Sequence, residues 1–186
     1  MPELAFLLLL LGSAPAADFI DITKLAPGVR VELRYTKPES FVKKAVYPEC
    51  ARCLLRRETA QALVRVQKAL EAKGLGLKLW DCYRPHAVQI EMWKAFPDAR
   101  FVANPKRGSV HSRGGAVDLT LVGSSGKELE MPTGHDDFTK HAYLVAPASP
   151  EATKNRATLR AAMEAEGFIP TRTEWWHYDA KGSRRW

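Results

Sequence analysis

The sequence predicts a single α+β domain with a central, mostly antiparallel sheet flanked by helices. Three observations lead there. Arg57 to Lys73 and Pro150 to Glu166 repeat apolar residues at three- and four-residue intervals. Gly76 to Tyr83 and Gly115 to Leu121 alternate apolar with polar residues, and the aromatic stretch Thr173 to Tyr178 has strand composition. The helices and strands do not alternate as regular βαβ units, which favours α+β packing over a parallel sheet.

In the first helix Ala60, Leu63, Val64, Gln67 and Leu70 share one face, and Gly74 stands where a C-terminal cap belongs. The strand from Gly76 follows. Arg84-Pro85 ends it ahead of a short helix through about Phe96, so Arg84 sits at a strand end. In the next strand Val117, Leu119 and Leu121 lie on one face and Ala116, Asp118 and Thr120 on the other, so Asp118 points away from the apolar face. The later helix uses Ala152, Leu159, Ala162 and Met163, and Gly167 caps it. No repeat or flexible linker divides the chain, and residues 17–186 read as one catalytic-sized domain.

With 186 residues and 46% hydrophobic content, the chain can bury a substantial core, which argues against disorder. The apolar run Leu4 to Leu11, followed by Gly12-Ser13-Ala14-Pro15-Ala16, reads as a signal peptide over residues 1–16 cleaved after Ala16. The protein is therefore expected to be exported, periplasmic or secreted. The run is far shorter than the ~20 residues that span a bilayer, so no stable membrane insertion is expected. The net charge is +7, and losing Glu3 with the leader leaves 28 basic against 20 acidic residues, or +8. Lys and Arg are scattered without interleaved aromatics, which argues against nucleic-acid binding, while the basic surface suits an anionic envelope. Of Cys50, Cys53 and Cys82, an odd count leaves one thiol over. No second CxxC or HxxxH completes a zinc set with Cys50-x-x-Cys53, so a disulfide from Cys82 to either Cys50 or Cys53 is expected.

The chemistry-bearing residues fall in two stretches. In Ser109-Val110-His111-Ser112-Arg113-Gly114-Gly115-Ala116-Val117-Asp118, a loop histidine and a strand aspartate offer a nitrogen and an oxygen to a metal. Zinc commonly takes one further protein ligand and keeps a position for water. Glu174-Trp175-Trp176-His177-Tyr178-Asp179 supplies a second nitrogen and a carboxylate able to act on such a water. Residues three apart on a regular strand lie on opposite faces, so Glu174 is expected at the strand's start, on a turn or a bulge. His86, His135 and His141 are expected to be non-ligands with surface or supporting roles, and Trp175 and Trp176 to pack in the core.

Taken in order, Trp80-Asp81-x-Tyr83-Arg84-Pro85, Ser109-x-His111-Ser112-Arg113-Gly114-x-Ala116-x-Asp118-Leu119-Thr120-Leu121 and Glu174-Trp175-Trp176-His177-Tyr178 resemble the VanX-type D-alanyl-D-alanine dipeptidases of the zinc D,D-peptidase superfamily, peptidase family M15. The resemblance runs from about Val29-Arg30 and Tyr35 to Tyr178. It implies the fold shared by wall-active D,D-carboxypeptidases and the Hedgehog signalling domain. It also implies one Zn2+ per chain on His111, Asp118 and His177, with Glu174 as the base that passes a proton to the leaving amine and Arg84 as the oxyanion partner. Tyr35, Ser109 and Asp136 match positions that hold the dipeptide's polar ends, with Asp137 as the alternative anchor. Two differences stand out: His135 replaces the usual aromatic residue before Asp136, and a longer aromatic tail found in some relatives is missing after Asp179, which predicts a more open pocket. The implied activity is hydrolysis of D-alanyl-D-alanine to free D-alanine. The alternatives are a D,D-carboxypeptidase or endopeptidase acting on peptidoglycan fragments with the same zinc site, and a non-catalytic binding module, against which Glu174 and Arg84 count.

Overall fold

The computed structural model describes residues 18–186, and the expected leader over residues 1–16 lies outside them. The strands are β1 (Phe19–Asp21), β2 (Arg30–Val31), β3 (Leu54–Arg56), β4 (Leu75–Asp81), β5 (Ala116–Gly123), β6 (Phe168–Pro170) and β7 (His177–Ala180). The helices are α1 (Arg57–Glu71), α2 (His86–Ala95) and α3 (Pro150–Ala165). Five strands form one sheet in the order β2-β4-β5-β7-β6, in which β2 and β4 run parallel and every other neighbouring pair is antiparallel. β1 and β3 form a separate antiparallel pair. The α+β class and the mostly antiparallel sheet are as the sequence predicts.

α1 buries Ala60, Leu63, Val66 and Leu70 and lies against β4 and α3. Gln67, on the same face, accepts a hydrogen bond from the Leu77 N–H at 2.9 Å. Two-residue β2 pairs only with Lys78 and Leu79, so Gln67 satisfies a buried strand donor that the short edge strand cannot reach. Past α1, Gly74 adopts φ +70, a conformation glycine reaches without a side-chain clash. α3 begins where Ser149 accepts from the Ala152 N–H at 3.1 Å, with Pro150 in its first turn.

β5 is buried along nearly its whole length. Val117, Leu119 and Leu121 enter the core as expected. The opposite face, with Asp118 and Thr120, is also buried, because Tyr35, Phe41, Asp136 and Phe138 arch over it and enclose a cleft. Between β4 and β5 the register shifts: Leu79 faces Leu119, but Asp81 faces Asp118. Regular pairing would set Trp80 opposite Asp118, so one extra residue in β4 brings the Asp81 carboxylate to the cleft side.

The strand expected from Thr173 begins only at His177. Thr173 to Trp176 form a turn instead, drawn inward by the fully buried Trp175 and Trp176 and by the Trp175 N–H, which donates to the Ala142 carbonyl at 3.0 Å. β1, β2, β3 and β6, at two or three residues each, are too short to leave a readable period. Cys53 and Cys82 form the disulfide with Cα atoms 5.2 Å apart, and Cys50 is the exposed free thiol. Among the described residues, no helix is long and apolar enough to cross a membrane.

Candidate active site

Asp118 on β5 and His177 on β7 are direct partners in the antiparallel ladder, which puts both side chains on the cleft face of adjacent strands. His111 arrives from a 3-10 turn, His111–Arg113, closed by Gly114 at φ +67. His177 Nδ1 lies 3.0 Å from Asp118 Oδ1 and 3.2 Å from His111 Nε2, and His111 Nε2 lies 3.4 Å from Asp118 Oδ2. All three residues offer donor atoms within 4.8 Å of one another. Ligands on a tetrahedral zinc with bonds of ~2.1 Å stand about 3.4 Å apart, so this N2O set fits that ion in spacing and in chemistry.

Each imidazole is held by its other nitrogen. His111 Nδ1 donates to the Cys82 carbonyl at 2.7 Å, and His177 Nε2 donates to Asp179 Oδ1 at 2.9 Å. These bonds fix the tautomers so that His111 Nε2 and His177 Nδ1 face the common point. Asp179 in turn accepts from Arg184. Burial opposes the charge on Asp118, yet His111, His135 and His177 around it hold its carboxyl well below the usual range. Burial likewise disfavours the His177 cation, but hydrogen bonds to Asp118 and Asp179 hold its pKa well above that of free histidine.

Glu174 lines the same cleft from the turn before β7, which is closed by the His177 N–H donating to the Glu174 carbonyl at 3.2 Å. The turn resolves the period-two conflict, because Glu174 precedes the strand and folds back over the site. Burial pushes its pKa up to about 8; the His177 charge works against the rise, while Asp118 and Asp136 add to it. Arg84 is 7% exposed, with Nε donating to Asp81 Oδ2 at 2.8 Å and Nη1 to Gln89 Oε1 at 3.0 Å. Its Nη2 bonds Asp81 and lies 3.6 Å from Asp118, and the guanidinium carbon sits 5.5 Å from the Tyr35 ring centre.

Tyr35, Ser109 and Asp136 all line this cleft. The Tyr35 hydroxyl donates to Asp136 Oδ1 at 3.0 Å. Asp136 holds φ +60, a left-handed conformation that aspartate tolerates better than most residues. Asp137 instead accepts from the Thr139 N–H at 3.0 Å, so of the two candidate anchors it is Asp136 that faces the site. His86 and His141 are exposed. His135 takes the supporting one of its two expected roles: its side chain is buried, with Nε2 3.7 Å from Asp118 Oδ2 and Nδ1 3.5 Å from Asp136 Oδ2.

Two residues of the site went unassigned in the sequence. Asp179 lies two residues after His177, a spacing that puts both on one face of a strand, so the signal was present. Asp81 grips Arg84 and accepts from the Tyr47 hydroxyl at 2.7 Å, but it reaches the cleft face only through the register shift.

The fold and this cluster define a metallopeptidase. Residues 15–184 match the Peptidase_M15 family, described as D-ala-D-ala dipeptidase. The D-alanyl-D-alanine dipeptidase of Escherichia coli K12 is 36% identical over 163 residues, spanning 87% of this chain and 84% of the relative. The corresponding dipeptidases of Streptomyces coelicolor and Enterococcus faecalis are 35% and 33% identical, over 88% and 86% of this chain and 92% and 90% of their own lengths. Among solved structures, an LD-carboxypeptidase studied for peptidoglycan recognition aligns at a TM-score of 0.45 and 20% identity, over 75% of this chain and 66% of its own. The chain belongs to the M15 D-alanyl-D-alanine dipeptidase family.

Proposed function

We propose that the protein hydrolyses D-alanyl-D-alanine to free D-alanine, using one zinc ion held by His111, Asp118 and His177. The observation that carries this reading is the convergence of those three donors, from separate elements, in a cleft that also buries Glu174 and Arg84. Bound zinc supplies Lewis acidity, polarising the scissile carbonyl and acidifying a water towards neutral pH.

The chain's own groups do the rest. The Glu174 carboxylate takes a proton from the attacking water and returns it to the leaving amine as the C–N bond breaks. A pKa raised by burial suits both halves of that transfer. Arg84, locked by Asp81 and Gln89, offers its remaining Nη–H groups to the carbonyl oxygen as negative charge develops there. Asp136, braced by Tyr35, receives the substrate's free ammonium, and the Ser109 hydroxyl serves the far end. A free ammonium at that point belongs to a dipeptide and not to a longer stem, which favours the dipeptidase over the carboxypeptidase.

Export is part of the proposal. A leader over residues 1–16 and the Cys53–Cys82 bridge suit an oxidising compartment, where the substrates would be dipeptides and peptidoglycan fragments released from the wall. The test is the zinc content of the purified protein together with a panel of D,D- and L,L-dipeptides and a stem pentapeptide. D-Alanine release from the D,D-dipeptide with the pentapeptide uncut is the expected result. Cleavage of the pentapeptide alone would transfer the assignment to a carboxypeptidase.

A further inference from the structure

We infer that this site prefers D,D-dipeptides whose C-terminal residue carries a second negative charge, such as D-aspartate or D-glutamate. The inference rests on the dipeptidase reading and names the substrate class within it. The catalytic cleft lies beside a further cavity, and the two share Phe101, Ala103, Ser109, Glu174 and His177 in their linings. Asp136 and Tyr35 border only the first. A substrate lying with its ammonium at Asp136 therefore points its leaving half past Glu174 into the further cavity, since Glu174 must reach the leaving amine.

That cavity is lined by Arg100, Arg107, Arg113 and Arg184, and beyond the shared Glu174 its one acidic residue is Asp179. Asp179 is already committed, accepting from both His177 and Arg184. Arg100 is held by Asp98. Arg113 spends Nη1 on the Arg184 carbonyl at 2.9 Å, and among the described residues neither Arg113 nor Arg107 has a carboxylate partner. A dipeptide's α-carboxylate brings one negative charge to this end. A side-chain carboxylate one or two methylenes further out meets the guanidinium groups that remain, which bind carboxylates in a fixed fork. Arg107 and Arg184 are exposed, so the gain is moderate and falls with salt.

The deciding experiment compares D-Ala-D-Glu with its neutral isostere D-Ala-D-Gln on the zinc-loaded full chain at low ionic strength. The expected result is a kcat/KM about tenfold higher for the acid, expressed in KM, shrinking as salt rises and falling severalfold in Arg107→Gln. Equal kcat/KM for the two, or a ratio unmoved by salt and by Arg107→Gln, overturns the inference; if D-Ala-D-Ala is still cleaved, the proposed function stands. If no D,D-dipeptide is cleaved, the proposed function fails, and calorimetric binding of the same pair decides the pocket: a lower Kd for the acid supports it, and equal Kd values overturn it.

Discussion

Asp118 and His177 are held as opposite partners in a β ladder, whereas Tyr35, Ser109 and Asp136 reach the same cleft from turns and loops. A ladder fixes its side chains through backbone bonds on both sides, and β5 is buried on both faces besides. On the proposed function Tyr35, Ser109 and Asp136 form the recognition end, which depends on weaker closures: a 3-10 turn at Arg34–Thr36, a left-handed Asp136 and the tyrosine hydroxyl between them. If the proposed roles hold, chemistry is built into the sheet while selectivity is set by replaceable segments, so damage at the two ends should read out differently.

The largest effect belongs at the chemical end. Glu174→Ala should lower kcat about 10²–10⁴-fold while zinc content stays at one per chain. Activity within a few-fold of the parent would remove Glu174 as the base. The same residue governs a stability effect in the metal-free protein. Burial raises it to about 8, against ~4.3 in an unfolded chain, so between those values the fold keeps a proton that the unfolded chain has lost. Stability should therefore fall as pH rises from about 4.3 through 8. Glu174→Gln cannot ionise, so denaturant titrations without metal should find it more stable than the parent at pH 9, by on the order of a few kcal/mol, and nearly equal at pH 4. A difference that does not change with pH would contradict the burial argument.

Next in size is the support behind the ladder. Asp179→Asn should weaken zinc binding about 10–100-fold in a chelator competition, because His177 loses the carboxylate that orients its ring. The smallest effect is expected at the recognition end. Asp136→Asn keeps the shape and tolerates the same backbone conformation, so KM for D-Ala-D-Ala should rise by about tenfold, worth ~1.4 kcal/mol, with kcat little changed. A collapse in kcat from Asp136→Asn, or a pure KM effect from Asp179→Asn, would erase the distinction between the two ends.

How far the sequence could be read follows the same division. Asp118 was legible from the alternation of its strand, which puts it on the cleft face, whereas His111, in a loop without a period, and His177 were legible as ligand candidates through the family motifs that hold them. Glu174 was legible only as an exception to that periodicity, and the turn that accommodates it depends on where two tryptophans bury themselves. Asp81 was not legible as a site residue, since a register shift leaves no mark on either strand taken alone. The arginine-lined cavity draws Arg100, Arg107, Arg113 and Arg184 from well-separated positions, so no short spacing reveals it. For His135 the sequence left a surface and a supporting role open, and only the arch over β5 decides between them by placing it against Asp118.

Substitutions that ironed out the bulge in β4, so that pairing ran unbroken past Leu79, would set Trp80 opposite Asp118 and turn the Asp81 carboxylate towards the apolar face. Arg84 would lose the anchor that aims it. A redesign that rewarded sheet regularity would thus select a neater scaffold without a working catalyst, and screening such variants by thermal tolerance alone would favour the wrong ones.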